Sequence, residues 1–113
     1  MCGIVGYVGK QQALSVLIGG LKALEYRGYD SAGFAIHTGK EIIVKKSVGQ
    51  VANLEKRLVK EDFHGVVGVA HTRWATHGAP NEINSHPHSD CAGNILVVHN
   101  GIIENYKELK TYL

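Results

Sequence analysis

Apolar positions recur along the chain with two periods, and the changes of period mark out the elements. Residues 3–9 form a short apolar run, Gly3-Ile4-Val5-Gly6-Tyr7-Val8-Gly9, that predicts a β-strand. Its glycines weaken it as a packing element but let another backbone or a ligand come close. From Gln11 to Leu24 the period lengthens. Leu14, Leu17, Ile18 and Leu21 take the i, i+3, i+4, i+7 spacing of one helical face, and Leu24 extends the stripe. This helix is expected to end near Glu25-Tyr26, ahead of Arg27-Gly28.

The pattern then predicts a strand over Ala32–His37, a turn at Thr38-Gly39-Lys40 and a returning strand over Glu41–Lys46. Val51–Lys60 reads as a second, polar-faced helix with Leu54 and Leu58 four residues apart. Gly65–His71 reads as a buried strand, Asn94–His99 as another, and a last helix runs from Ile103, starting near Asn100-Gly101. Between the two strands, Thr72–Gly93 carries no periodicity. A loop of that length in a compact domain is usually functional. Interleaved strands and helices without repeats or low-complexity tracts predict a mixed α/β or α+β layered domain.

Composition narrows the class. The chain has 113 residues, enough for one domain or part of one with a real core. With 44% hydrophobic and 19% charged residues it has the balance of a folded globular protein. A net charge of +2 with no Lys/Arg cluster gives no footprint for nucleic acid. No stretch has the length of a membrane span, and the short, glycine-broken start lacks the basic region of a signal peptide. The two cysteines, Cys2 and Cys91, allow at most one disulfide, so free thiols in a reducing, cytoplasmic setting are expected.

Four stretches carry candidate chemistry. Cys2 follows the initiator methionine directly; with Met1 removed it would hold a thiol and a free α-amine on one residue. That places a nucleophile beside a candidate general base. Taken alone, Cys2 reads as a small buried hydrophobe at a strand start. The segment Tyr26–Gly33, with Arg27 and Asp30, reads alone as a polar turn. His71–Gly78 follows a buried strand: Arg73 offers a planar fork suited to a carboxylate, Trp74 an apolar lid, Thr76 and His77 orienting groups. In His99-Asn100-Gly101 a side-chain amide precedes a glycine N–H, a plausible pair of oxyanion donors, or else a common Asn-Gly turn. His77, His86, His88 and Cys91 are all acceptable zinc ligands, but the spacing fits none of the common paired-ligand signatures, and no metal is expected.

Together these stretches resemble the glutaminase domain of the class II glutamine amidotransferases, which are N-terminal-nucleophile hydrolases. The resemblance runs along essentially the whole chain. It is strongest in Met1–Gly6, Leu24–Gly33, His71–Gly78, His86-Pro87-His88 and His99–Tyr106. It implies an α+β fold, a four-layer αββα sandwich incomplete at its C-terminal end. It implies that Cys2 attacks the side-chain amide of L-glutamine, with Asn100 and Gly101 as oxyanion donors. Arg73, Trp74, Thr76 and His77 would bind the substrate, Arg27 and Gly28 would line the site, and His86 and His99 would support the pocket. No cofactor is implied.

The family's acidic residue that holds the α-ammonium of glutamine does not occur in this sequence. The resemblance therefore implies that residues 1–113 are the N-terminal part of a glutaminase domain in a longer protein. The branch it most resembles uses further sugar isomerase domains to take fructose 6-phosphate as acceptor, and is homodimeric. Other class II amidotransferases, such as asparagine synthetase or amidophosphoribosyltransferase, share the Cys-Gly-Ile start. A non-catalytic domain retaining the fold is the remaining alternative.

Overall fold

The computed structural model describes residues 2–27, 29–58, 61, 64–75 and 77–113, the side chain of Arg27 excepted. Along the chain run β1 (Gly3–Val8), α1 (Ala13–Leu24), a 3-10 turn (Glu25–Arg27), β2 (Ser31–His37), β3 (Ile42–Val48) and α2 (Val51–Lys56). These are followed by β4 (Val67–Arg73), β5 (His88–Ser89), β6 (Leu96–Val97) and α3 (Tyr106–Tyr112). Four strands make one antiparallel sheet in the order β1-β4-β2-β3, and β5 pairs with β6 separately.

Register decides which face each side chain takes. Phe34 lies opposite Ala70, which in turn lies opposite Val5, so these residues share one face. Ala32, Phe34, Ile36 and Ala70 pack there against Ala13, Leu17 and Leu21 of α1 and Val51 and Leu54 of α2. Of the helix stripe read from the sequence, Leu17 and Leu21 are buried, Leu14, Ile18 and Leu24 are half-buried, and Ala13 is the third buried position. Gly20 lets α1 approach closely: a Cβ there would lie 2.7 Å from a methyl of Val5. The start of α1 is tied down by Ala13 N–H donating to Gly65 O at 2.8 Å. The Glu25 carboxylate accepts from Val51 N–H at the first turn of α2 at 2.6 Å, where a negative charge suits the helix dipole.

The opposite face of the sheet carries His71 and Arg73, with Ser31, Gly33 and Ile4 in register beside them. This face positions the site. Among the described residues the layers are one of helices, the four-stranded sheet and the short β5–β6 ladder, an α+β arrangement.

Several boundaries differ from the sequence reading. β4 begins at Val67 and continues to Arg73, because Thr72 and Arg73 are held in the ladder by Gly3 and Ser31. It is not a uniformly buried strand: Val66 and Val67 are exposed, and its buried positions are Gly68 and Ala70–Arg73. The apolar run Asn94–His99 pairs only at Leu96–Val97, leaving Ile95 exposed. α2 ends at Lys56, and the last helix starts at Tyr106 with no buried residue.

Candidate active site

Cys2 is placed by its neighbour. Gly3 N–H donates to the buried Thr72 hydroxyl at 3.1 Å, and a Cβ at Gly3 would lie 2.8 Å from that of Leu24. The strand start is therefore pressed against β4 and α1, and Cys2 falls where β4 gives way to the following loop. Its thiol is half-buried and free of any disulfide. Trp74 N–H donates to Cys2 Sγ at 3.4 Å, and Sγ donates to Trp74 O at 3.8 Å.

The loop after β4 is held from both sides. Asp30 N–H donates to Arg73 O at 2.9 Å, and the Asp30 carboxylate accepts from Ala75 N–H and from the Ser31 hydroxyl. Asp30, read from sequence as a surface charge in a turn, thus fixes the backbone that bears Trp74. The Arg73 guanidinium, almost wholly buried, donates to Ala79 O at 2.9 Å, to Gly78 O at 3.2 Å and to His77 O. Gly78 has φ of +82°, a left-handed turn that aims these carbonyls at one donor. Asn84 Nδ2 also donates to Ala79 O at 3.0 Å.

Three histidines gather on the same face. His71 and His86 stack with ring centroids 4.1 Å apart, and His86 and His88 lie 4.4 Å apart at a tilt. Burial is the main cause that lowers the His71 pKa to about 4, with the Arg73 and His88 charges adding to it. Burial, then the neighbouring His71 and His88, lowers His86 to about 3. His88 is also lowered, by burial and then by Lys46 and Arg73. His71 and His86 are therefore neutral imidazoles near pH 7.

Cys2, Arg73, Trp74, His77, His86, His99, Asn100 and Gly101 line one cleft of about 610 Å³, open to solvent. Thr76 and Gly28 lie outside the described residues, as does the side chain of Arg27. His88 also lines the cleft, as do Asn84 and Tyr106, to which the sequence reading assigns no role in the site. Tyr106 stands edge-on to His77 at 5.3 Å, and Tyr29 edge-on to Trp74 at 6.5 Å. Gly101 has φ of +140°, a conformation that favours glycine. No group of three or more potential metal ligands occurs among the described residues. The Cys2 thiol is flanked by the N–H and C=O of Trp74, an arrangement suited to nucleophilic chemistry at sulfur, and Asn100 and Gly101 line the same cleft.

The fold is shared with two solved structures. A glutamine phosphoribosylpyrophosphate amidotransferase from B. subtilis, complexed with ADP and GMP, superposes with a TM-score of 0.82 at 24% identity. It covers 99% of this chain and 24% of its own length. A second structure, described as the allosteric regulatory enzyme of purine biosynthesis, gives 0.84 at 24% identity, also over 99% of this chain and 24% of its own. No family profile matches the chain. In fold, then, the chain matches these two solved enzymes.

Sequence carries the likeness further. The chain is 56% identical over all 113 residues to a glutamine–fructose-6-phosphate aminotransferase (isomerizing) of Pyrococcus horikoshii and 57% identical to that of Clostridium acetobutylicum. The relative of Aquifex aeolicus is 55% identical over the same 113 residues. Over its whole length the chain is thus similar to glutamine–fructose-6-phosphate aminotransferases, and it spans 19% of the length of each of these three relatives.

Proposed function

We propose that residues 1–113 are the N-terminal part of a glutaminase domain that releases ammonia from L-glutamine through a thioester on Cys2. The observation that carries this reading is the Cys2 thiol set between the N–H and C=O of Trp74 at a cleft that Asn100 and Gly101 also line. With Met1 removed, the Cys2 α-amine takes the thiol proton through a water molecule, and sulfur adds to the amide carbon of the substrate. The Asn100 amide and the Gly101 N–H receive the tetrahedral oxyanion. Its collapse breaks the C–N bond, and the nitrogen leaves as ammonia with the proton held by the amine. Water then adds to the thioester, glutamate departs and the thiol returns.

Arg73 binds the α-carboxylate of glutamine. A guanidinium has five N–H donors, and three carbonyl oxygens take bonds from this one. Trp74, Thr76 and His77 shape the substrate loop, Arg27 and Gly28 line the site near the nucleophile, and His86 and His99 support the pocket by hydrogen bonding. In the whole protein the ammonia is passed to fructose 6-phosphate on isomerase domains, in a cytoplasmic homodimer that makes an amino sugar phosphate. Identities of 53–57% to relatives named for that acceptor support this assignment. No cofactor enters the glutaminase step.

An electrophilic glutamine analogue tests the reading. Intact mass after exposure is expected to show one adduct on Cys2 and loss of Met1, with Cys2→Ala giving neither adduct nor glutamine hydrolysis. A retained methionine, which would bury the amine in a peptide bond, or an unmodified Cys2 in a full-length chain carrying this segment, would falsify it.

A further inference from the structure

We propose that His71 and His86 form a paired clamp on the backbone of His99 and thereby position the Asn100–Gly101 turn for the reaction. The inference rests on the glutaminase reading above. Both histidines are positioning residues: they act through His99.

Both polar groups of the His99 backbone are taken by imidazoles. His99 C=O lies 3.1 Å from His71 Nε2, and His99 N–H donates to His86 Nδ1 at 3.3 Å. A carbonyl can only accept, so His71 carries its proton on Nε2. An N–H can only donate, so the neutral His86 ring carries its proton on Nε2 and presents a lone pair at Nδ1. His71 Nδ1 is buried without a hydrogen-bond partner among the described residues. The tautomer is therefore committed to His99 at the expense of the other nitrogen.

The clamp is anchored to the sheet. His71 is buried within β4, opposite Gly33 of β2 and Ile4 of β1. The His86 carbonyl lies directly over Gly33, where any Cβ would overlap it, and the two rings stack. β4 thus carries the His71 ring, the His86 backbone rests on β2 at Gly33 and its ring on His71, and the two rings hold the peptide that leads into Asn100. The His99 ring in turn covers Gly101, where a built Cβ would lie 3.2 Å from His99 Cε1. Burial keeps both clamp rings neutral down to about pH 4, so the tautomers persist throughout the neutral range.

Four variants in a full-length chain carrying this segment test the clamp. His86→Asn keeps an acceptor near the Nδ1 position, and His86→Leu matches it in size without one. His71→Gln keeps a donor near Nε2, and His71→Leu removes it. Two rates are compared: glutamine hydrolysis, which passes through an oxyanion, and alkylation of Cys2 by iodoacetamide, which displaces iodide without forming one.

Each Leu variant is expected to lose kcat by roughly ten- to a hundredfold, as small misplacements of catalytic groups do, with KM within about twofold. Alkylation of Cys2 should be unchanged, and Asn and Gln should recover most of the loss. Equal kcat for the Asn and Leu variants at position 86 would overturn the clamp, as would a loss confined to KM or a parallel fall in alkylation. The comparison at position 86 stands by itself if a variant at the buried His71 does not fold. Hydrolysis surviving in Cys2→Ala would instead sink the glutaminase reading. A dead Cys2→Ala beside unimpaired histidine variants would sink the clamp alone.

Discussion

A methyl group at position 33 would overlap the carbonyl oxygen of His86 and lie 3.1 Å from that of Lys45. Backbone on both sides leaves no flexible side chain to move aside, so Gly33→Ala must displace the segment that carries His86. Overpacking of this kind costs about 1–3 kcal/mol. We expect the urea midpoint of Gly33→Ala to fall accordingly, and glutamine hydrolysis to fall more than the stability loss alone would cause. A midpoint and activity equal to the parent would show that His86 does not rest on Gly33. This residue also marks the limit of legibility at its scale. That Cys2, Arg73, Asn100 and Gly101 line one cleft could be anticipated only from the four stretches taken together, because singly Cys2 also reads as a core thiol and Asn100-Gly101 as a common turn. The use of His71 could not, since a histidine within a strand looks the same whether it fills the core or clamps a peptide. Asp30 looked like a turn charge, and only the return of Ala75 to its carboxylate reveals its use.

Among the elements, α1 shows how cleanly the core separates from the site. Leu17 is fully buried on the helix face of the sheet, while His71, Arg73 and the cleft lie on the opposite face. Leu17→Ala should therefore destabilise the fold by roughly 2–5 kcal/mol, as buried leucine truncations do. The rate of Cys2 alkylation in the molecules that remain folded should stay unchanged. A matching loss in that rate at low denaturant would mean the two faces are coupled through the sheet. The helix was legible because four leucine and isoleucine positions share one face, a pattern only an α-helix satisfies. The run Asn94–His99 was misjudged because apolarity does not create a strand without a partner. Its ladder reaches only His88 and Ser89. Beyond Ser89, Asp90 closes the connection by accepting from Asn94 N–H at 2.8 Å and Ile95 N–H at 2.9 Å, which turns the backbone instead of extending it.

At the scale of the whole molecule the histidine cluster ties stability to pH, and the sign follows from the direction of its shifts. In the unfolded chain each histidine titrates near 6.5. In the fold His71 titrates at about 4 and His86 at about 3, and His88 is lowered as well, chiefly through burial. Above pH 6.5 both states are neutral at these positions and the cluster's contribution is fully present. As pH falls from 6.5 toward 4, the unfolded chain takes up protons that the folded one refuses, and stability is lost. The slope is at most about 1.4 kcal/mol per pH unit for each such histidine.

The charges facing the cluster reinforce this direction on balance. Arg73 and the neighbouring histidines disfavour a proton on His71 and His86, and Lys46 and Arg73 disfavour one on His88, whereas the hydrogen bond to His99 C=O and then Asp30 favour one on His71. The urea midpoint is therefore expected to be level between pH 8 and 7 and to fall steadily between pH 6.5 and 4. His86→Asn should reduce the slope by its own share. Ring-proton resonances of His71 and His86 provide the direct check. If either titrates near 6.5 in the folded chain, the ring is not held neutral by the sheet face it packs on. A proton on His86 Nδ1 would remove the acceptor that holds His99 N–H, whereas a protonated His71 would still donate its Nε2–H to His99 C=O.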